Sequence, residues 1–273
     1  MQAPLPFDDS RETCPLRVVV LGSGSGGNAV VVESGGHRVL IDAGFSCREL
    51  ERRMRAVGVD PSSIEALLVT HEHDDHVRGA DRFARKWNLP LHATAGTLAG
   101  SPLGEDVLAR ARRFASGEPF AAGPFAVEPF AIPHDAREPV GFVLEAGGRR
   151  VGLVADLGYA SRLAWGRLVD LDLLILETNH DLDMLRSGPY PWPLKQRVAS
   201  RHGHLSNGEA SEALPELVGD RLRFVVLYHL SRTNNLPALA AAAVGEELSR
   251  AGARAEVVVS DQFRPTPWLE VTT

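Results

Sequence analysis

The sequence is short of cysteine, of long apolar segments and of positive charge, and each shortage excludes a class of protein. Only two cysteines, Cys14 and Cys47, occur in 273 residues. This excludes a disulfide framework or a cysteine-based metal site and suits a reducing compartment. No apolar run approaches the roughly 20 residues that are needed to cross a bilayer. The net charge of −6 argues against a surface generally covered by nucleic acid, although a local basic groove remains compatible with it.

The beginning of the chain also lacks the pattern of an export signal. Residues 1–15 are polar and rich in proline, without a basic segment followed by an apolar one. We therefore expect a cytoplasmic protein without a membrane partner. A flexible tail is expected over residues 1–15 and a single domain over residues 16–273.

Apolar runs separated by turn residues predict two groups of strands, each followed by helices. Strands are expected at residues 16–21, 29–33, 38–41, 64–70, 125–132, 140–145, 150–155, 173–177 and 223–228. Helical spacing is found at residues 46–57, 77–87, 161–168, 207–217 and 238–251. This order predicts an α/β protein in which two sheets stack and helices cover their outer faces.

The densest chemical signal lies directly after a buried apolar run. Residues 71–76 read His-Glu-His-Asp-Asp-His. In an extended segment, residues two apart point the same way, so His71, His73 and Asp75 share a face. A turn near Asp75 would aim Asp75 and His76 at a second point. Imidazole and carboxylate suit Zn, Mn or Fe, and the segment therefore predicts ligands for two neighbouring ions.

Four further strands end in a residue that is acidic or able to bind metal. These residues are Asp42, His134, Asp156 and His229. Side chains at strand ends of a rigid scaffold are the usual way in which a site is assembled. For any one of them a hydrogen-bonded loop residue is the simpler interpretation. Together with His71, however, five such strand ends predict one common site.

Three glycines match the spacing of a dinucleotide-binding fingerprint, namely Gly22, Gly24 and Gly27. That fingerprint needs a helix directly after the glycines, because the helix N-terminus binds the pyrophosphate. Residues 29–33 are instead β-branched and lead into a hairpin. We therefore reject NAD binding. Two interpretations of the loop stay open, a tight turn between strands and a contact with substrate, and Asn28 could hydrogen-bond across it.

The strand-end residues and the 71–76 segment together resemble the metallo-β-lactamase fold hydrolases over nearly the whole chain. Four shorter segments resemble the YycJ/WalJ exonuclease subgroup, and they are residues 21–28, 179–181, 203–207 and 229–235. The resemblance implies an αββα sandwich of two mixed β-sheets with helices on the outer faces. It also implies a 5′–3′ exodeoxyribonuclease that acts on DNA in DNA repair.

The same resemblance implies two divalent metal ions as cofactors, Zn or Mn with Fe as a further option. The implied ligands of one ion are His71, His73 and His134, and those of the other are Asp75, His76 and His229. Asp156 would bridge both ions. Asp42 would orient the histidine loop without binding metal itself.

Catalytic and substrate-binding residues are expected in the loops around these ligands. Asp75 would orient or deprotonate the nucleophile, and His204 or His180 would protonate the departing oxygen. The residues expected to contact substrate are Ser25, Asn28, Ser206, Asn207, Arg232 and Asn235.

A local positive segment interrupts the acidic composition. Between residues 186 and 204 the chain carries no acid, and its basic and aromatic residues are Arg186, Tyr190, Trp192, Lys195, Arg197 and Arg201. One interpretation is a surface that grips a nucleic-acid backbone and stacks a base. The other is a solvated helix face with Trp192 packed inwards.

Other classes of function stay open from the residues alone. Two metal ions also polarise a carbonyl, so the main alternative is a hydrolase of a small molecule such as a cyclic phosphodiester, thioester, lactone or lactam. A non-catalytic metal-stabilised module is disfavoured, because structural zinc usually has four closed protein ligands, often cysteines. A di-iron redox role ranks low, because the resembling redox branch has an acid where His73 stands.

Overall fold

Residues 14–272 are described by a computed structural model, and they form two seven-stranded sheets. The first sheet contains β1 (Leu16–Gly22), β2 (Ala29–Ser34), β3 (His37–Ile41), β4 (Ile64–Leu68), β5 (Leu91–Ala93), β6 (Arg112–Arg113) and β14 (Leu269–Val271). The second contains β7 (Phe120–Ala122), β8 (Phe125–Ala131), β9 (Val140–Ala146), β10 (Arg149–Val154), β11 (Leu173–Glu177), β12 (Phe224–Tyr228) and β13 (Glu256–Val259). Their orders are β14-β1-β2-β3-β4-β5-β6 and β13-β12-β11-β10-β9-β8-β7. The predicted tail lies almost entirely outside the described residues.

Ten α-helices and two short 3₁₀ segments connect the described strands. The helices are α1 (Cys47–Ala56), α2 (Asp74–Val77), α3 (Ala80–Trp87), α4 (Ala95–Gly100), α5 (Glu105–Arg110), α6 (Arg162–Trp165), α7 (Leu182–Ser187), α8 (Trp192–Val198), α9 (Asn207–Ala213) and α10 (Pro237–Arg250). The 3₁₀ segments are Pro61–Ser63 and Leu214–Glu216. Within residues 14–272, no helix combines the length and the apolar character that a membrane crossing requires.

The core has three apolar layers, because both faces of each sheet are covered. In β1, Val18 and Val20 pack between the sheets, whereas Val19 and Leu21 pack under α1 and α3. In the second sheet, Ile175 points into the central layer, and its neighbours in β11 pack in the outer layer with residues of α6, α9 and α10. Strands that are buried on both faces appear as continuous apolar runs. The predicted αββα sandwich is confirmed.

The predicted helix over residues 77–87 is interrupted in the structure. Only Val77 of this range belongs to α2, and residues 80–87 form α3 after a turn that includes Gly79. A Cβ atom at Gly79 would collide with the carbonyl oxygen of Phe45, so the backbone passes here too closely for any other residue. The interruption is a consequence of tertiary packing that helical periodicity does not reveal.

The parallel strands place the candidate residues at one edge of the molecule. In the first sheet β3 runs parallel to β4, and in the second β10, β11 and β12 run parallel to one another. The carboxyl ends of parallel strands meet at the same sheet edge, where ligands bind in open α/β sheets. The glycine loop after β1 leads into β2, as predicted, and Asn28 Oδ1 accepts a hydrogen bond of 2.9 Å from Gly24 N.

His92 makes the stability of the protein sensitive to acid. It lies in β5, stacks on Phe120 with ring centroids 5.0 Å apart, and its Nε2 has no hydrogen-bond partner among the described residues. Burial lowers the pKa of His92 to about 4. This pKa lies below the value of about 6.5 in the unfolded chain. The contribution of the neutral His92 ring to the free energy of unfolding is therefore fully present above pH 6.5 and is lost as the pH falls towards 4.

We expect His92→Phe to remove this part of the acid sensitivity. Between pH 7 and pH 5, its unfolding free energy should fall by about 2 kcal/mol less than that of the unchanged protein. Urea unfolding at both pH values measures the difference. The control is His37→Phe, since the side chain of His37 is exposed. Equal pH dependence of the His92 variant and the unchanged protein would contradict the assignment.

Candidate metal centre

Three of the predicted strand-end residues share an unusual backbone conformation. Asp42, Asp156 and His229 have φ values of 59°, 54° and 57°, in the left-handed region. Asp and His are among the few residue types that enter this region more readily than others. Such conformations cost about 1–3 kcal/mol each and collect at functional sites. The strand ends therefore turn sharply at the place where the candidate ligands meet.

The first group of candidate ligands consists of three histidines. His71 and His73 follow β4, and His134 follows β8. Their ligand atoms all lie within 4.8 Å of one another. His134 Nδ1 donates a hydrogen bond of 3.1 Å to the carbonyl oxygen of Gly203. This bond fixes the ring and leaves Nε2 to bind a metal ion.

The second group contains Asp75, His76 and His229, which also lie within 4.8 Å of one another. Asp75 Oδ2 is 3.1 Å from His229 Nε2 and 3.7 Å from His76 Nε2. Asp156 connects this group to the first, because its Oδ2 lies 2.8 Å from His76 Nε2 and 3.9 Å from His71 Nε2. The arrangement is one continuous cluster with Asp156 between its halves.

Asp42 lies behind the cluster and orients it. Its Oδ2 accepts a hydrogen bond of 2.7 Å from His76 Nδ1. Its Oδ1 accepts one of 2.8 Å from the backbone N of Thr70, and the Thr70 hydroxyl donates to Oδ2 at 2.9 Å. The carboxylate therefore sets the tautomer of His76 and leaves Nε2 to face Asp156. This geometry agrees with the orienting role that the resemblance implies.

The buried atoms of the cluster fit a pair of divalent ions. His71 Nε2 is fully buried and has no hydrogen-bond partner among the described residues. Asp156 Oδ2 has no properly aligned donor either, although His76 Nε2 lies only 2.8 Å away. Buried polar atoms are nearly always bonded, so these two need an explanation. Two ligands of one cation show this arrangement, close to each other but not aligned as donor and acceptor.

The charges around the cluster lead to the same conclusion. Burial lowers the pKa of His71 well below its usual value and also lowers that of His134, which keeps both rings neutral. Burial also disfavours charge on His76 and His229. Nearby carboxylates outweigh it and raise the pKa of His76 well above its usual value and that of His229 to about 9. Divalent cations would balance these carboxylates and leave the rings neutral, the state in which histidine binds metal.

Glu177 is a member of the site that the sequence analysis did not identify. It ends β11, is fully buried, and its Oε1 lies 2.7 Å from His204 Nδ1. Its Oε2 accepts a hydrogen bond of 2.7 Å from the backbone N of Leu157. The sequence carries a sign of this role, because an acid directly follows the apolar run 173–176. Asp42 and Asp156 follow apolar runs in the same way.

His204 lies between the metal cluster and Glu177. Its Nδ1 is 3.2 Å from Asp156 Oδ1 as well as 2.7 Å from Glu177, and 22% of its side chain is exposed. Burial disfavours its charged form, but Glu177 and Asp156 outweigh this and raise the pKa of His204 well above its usual value. Because Nδ1 is held by carboxylates, Nε2 is the nitrogen that remains to exchange a proton.

His180 belongs to none of the groups of candidate metal ligands. Its side chain is fully buried, and neither ring nitrogen has a hydrogen-bond partner among the described residues. Burial lowers the pKa of His180. Of the two histidines expected to protonate a departing oxygen, the structure therefore places only His204 in contact with the cluster and with solvent.

Four of the six residues expected to contact substrate form side-chain hydrogen bonds within the protein. Asn207 Nδ2 donates a bond of 2.9 Å to Asn235 Oδ1, and Asn235 Nδ2 donates back to Asn207 Oδ1. Ser206 caps α9 in a reciprocal arrangement with Glu209, and Asn28 closes the glycine loop. Their donors and acceptors are satisfied by the fold. The exposed members of the set are Ser25 and Arg232.

The basic segment forms part of the rim of the cluster. Arg197 donates a bond of 2.7 Å to Asp135 Oδ2, and Asp135 Oδ1 lies 3.2 Å from His134 Nε2. Trp192 begins α8 and is 67% exposed. The interpretation in which Trp192 packs inwards is therefore wrong.

Comparisons with known proteins identify the family of the chain. A family model described as "Beta-lactamase superfamily domain" matches residues 37–230. The chain is 34% identical over 244 residues to the exodeoxyribonuclease YycJ of Bacillus anthracis. The aligned segment covers 87% of this chain and 90% of the relative. It is also 34% identical over 236 residues to the exodeoxyribonuclease WalJ of Streptococcus pneumoniae, with coverages of 85% and 88%.

A solved structure supports the fold independently. The metallo-β-lactamase fold protein YhfI of Bacillus subtilis matches with a TM-score of 0.69 at 21% identity, covering 94% of this chain and 99% of that one. The two-sheet architecture, the family model and the two relatives all indicate the same superfamily. The chain belongs to the metallo-β-lactamase superfamily of hydrolases, in the family that includes YycJ and WalJ.

Proposed function

We propose that this protein is a binuclear metal-dependent hydrolase that cleaves DNA as a 5′–3′ exodeoxyribonuclease in DNA repair. The observation that carries the binuclear part is the position of Asp156, whose carboxylate lies between His76 and His71 and so joins two groups of ligands. The substrate class is supported by the two exodeoxyribonuclease relatives at 34% identity.

We assign one group of candidate ligands to each proposed ion. The proposed ligands are His71, His73 and His134 for one, Asp75, His76 and His229 for the other, with Asp156 shared. Zn and Mn suit this set of imidazoles and carboxylates. When bound, two such ions lower the pKa of water towards neutrality and offset the negative charge of a phosphodiester.

The residues of the chain then divide the proton transfers between them. Asp75 is 20% exposed at its side chain, whereas Asp156 is 3% exposed, so Asp75 is the ligand carboxylate that can orient the attacking water and accept its proton. His204 donates a proton from Nε2 to the departing oxygen, because Glu177 and Asp156 hold Nδ1. Glu177 acts as a positioning residue, since it touches His204 and not the reacting atoms.

DNA labelled at one end tests this proposal. With Mn or Zn added, the purified protein should release the label of 5′-labelled duplex DNA as a mononucleotide or short product in the earliest turnovers. A 3′ label should remain on fragments that shorten gradually. His73→Ala should abolish both, whereas His37→Ala, whose side chain is exposed away from the cluster, should not.

Two results would contradict the proposal. Internal cuts without early loss of the 5′ label would exclude 5′–3′ exonuclease action. Stoichiometric metal binding with turnover of chromogenic esters or lactams, but without cleavage of any DNA, would favour the small-molecule alternative.

A further inference from the structure

A groove lies between α7 and α8, beside the candidate metal centre. Its volume is about 390 Å³, and its lining residues include Leu182, Leu185, Arg186, Trp192, Lys195 and Gln196. Trp192 is 67% exposed and Leu182 38% exposed. Large apolar side chains with this exposure and a basic surrounding need a physical explanation, because folding alone would favour their burial.

The charges of the groove favour an anionic occupant. Lys195 Nζ donates a bond of 2.6 Å to the backbone carbonyl of Arg186, a neutral partner, and no carboxylate of the described residues lies within 4.0 Å of it. The Arg186 guanidinium is 72% exposed and only 3.6 Å from Asp183, an exposed pair that contributes little. The groove is therefore a positive island on a chain of net charge −6.

Helix α8 connects the groove rigidly to the metal centre. Arg197, near its end, bonds to Asp135, and the carbonyl of Val198 accepts a hydrogen bond of 2.9 Å from His204 N. Trp192 precedes Arg197 by five residues, which is about 7–8 Å along a helix axis. This spacing places Trp192 and the contact of Arg197 to the rim on one short helix.

We propose that this groove holds an unpaired stretch of the DNA strand, with a base stacked on Trp192 and its phosphates near Lys195 and Arg186. An indole stacks on any base, but only where the face of the base is free, which requires a single strand. The strand would run from the stacked base along α8 to the metal centre. This inference rests on the proposed nuclease function and adds how the substrate strand is gripped.

Trp192→Ala should raise the KM for single-stranded DNA on the order of 10- to 100-fold, with little change in kcat. Hydrolysis of bis(p-nitrophenyl) phosphate should stay unchanged, because this ester has no base to stack, and that result also shows that the variant is folded. Trp192→Phe should keep most of the affinity. The matched controls are Val169→Ala and Arg250→Ala, which alter exposed side chains near the opposite ends of the strands.

Oligonucleotides that carry one abasic nucleotide locate the stacked base. In the unchanged protein, the KM penalty should peak at one position of the abasic nucleotide relative to the cleaved bond, and Trp192→Ala should remove this peak. Lys195→Ala should reduce the slope of log KM against log salt by about 0.7, the value for one phosphate contact on a single strand.

The failure of this inference differs from the failure of the proposed function. If the unchanged protein degrades DNA but Trp192→Ala leaves the KM within twofold and the abasic profile flat, the stacking platform is wrong and the nuclease stands. If the unchanged protein hydrolyses bis(p-nitrophenyl) phosphate but no DNA, the nuclease proposal fails and the platform fails with it.

Discussion

Asp156→Asn is expected to strip the protein of bound metal and to lower DNA hydrolysis on the order of 10³-fold or more. The substitution keeps the shape of the side chain but removes the one carboxylate that lies between His71 and His76. Metal ions contribute several kcal/mol of charge stabilisation, and 1.36 kcal/mol corresponds to a tenfold change in rate. Metal content by mass spectrometry and cleavage of end-labelled DNA measure the two effects separately.

Asp172→Asn is the matched control for this substitution. Asp172 is also a buried aspartate, and it lies at the opposite end of β11, where its carboxylate is 2.6 Å from Arg221 Nη2 and 3.4 Å from Arg149 Nη1. Its loss should lower the unfolding free energy and leave metal content intact. If Asp156→Asn retains two ions per chain and more than a tenth of the activity, Asp156 does not bridge them.

His204→Ala is expected to lower kcat on DNA by about 10²- to 10⁴-fold while metal content stays the same. The departing oxygen of a nucleotide is a poor leaving group and needs a proton, for which His204 is the proposed donor. A p-nitrophenyl phosphodiester should lose far less, because p-nitrophenolate leaves without protonation. Steady-state kinetics on both substrates measure the contrast.

Glu177→Gln extends this test to the positioning residue. The amide retains a contact to His204 Nδ1 but lacks the negative charge that raises the pKa of His204. The value of kcat should therefore fall less than in His204→Ala. In the double variant the losses should not add, because Glu177 acts through His204. Equal losses on DNA and on the p-nitrophenyl ester would contradict proton donation by His204.

The metal cluster was the part of the site that the sequence predicted best. Residues 71–76 are adjacent in the chain, so the local backbone alone keeps their ligands together. His134, Asp156 and His229 follow apolar runs. Strands β10 and β12 run parallel to β11, and β8 runs in the same direction because β8 and β10 are both antiparallel to β9, so the ends of these runs meet at one edge. Both signals depend on local pattern, which is readable in one sequence.

For the residues expected to contact substrate, local pattern is a weaker guide. Loop residues such as Asn207 and Asn235 are polar, and polarity in a sequence does not distinguish a side chain that awaits a ligand from one that holds two loops together. The bond between them joins residues that are 28 positions apart. Only the folded arrangement reveals that their donors and acceptors are already used.

The sequence by itself predicted the fold class and two groups of candidate metal ligands and argued against a dinucleotide site, because each depends on periodicity or on neighbours in the chain. Tertiary structure decided the rest. It placed Glu177 2.7 Å from His204 across 27 positions, left the buried ring nitrogens of His180 without a hydrogen-bond partner within residues 14–272, and exposed Trp192 at the rim. These features depend on strand register and on which face of a short helix finds a partner, and packing between distant segments settles both.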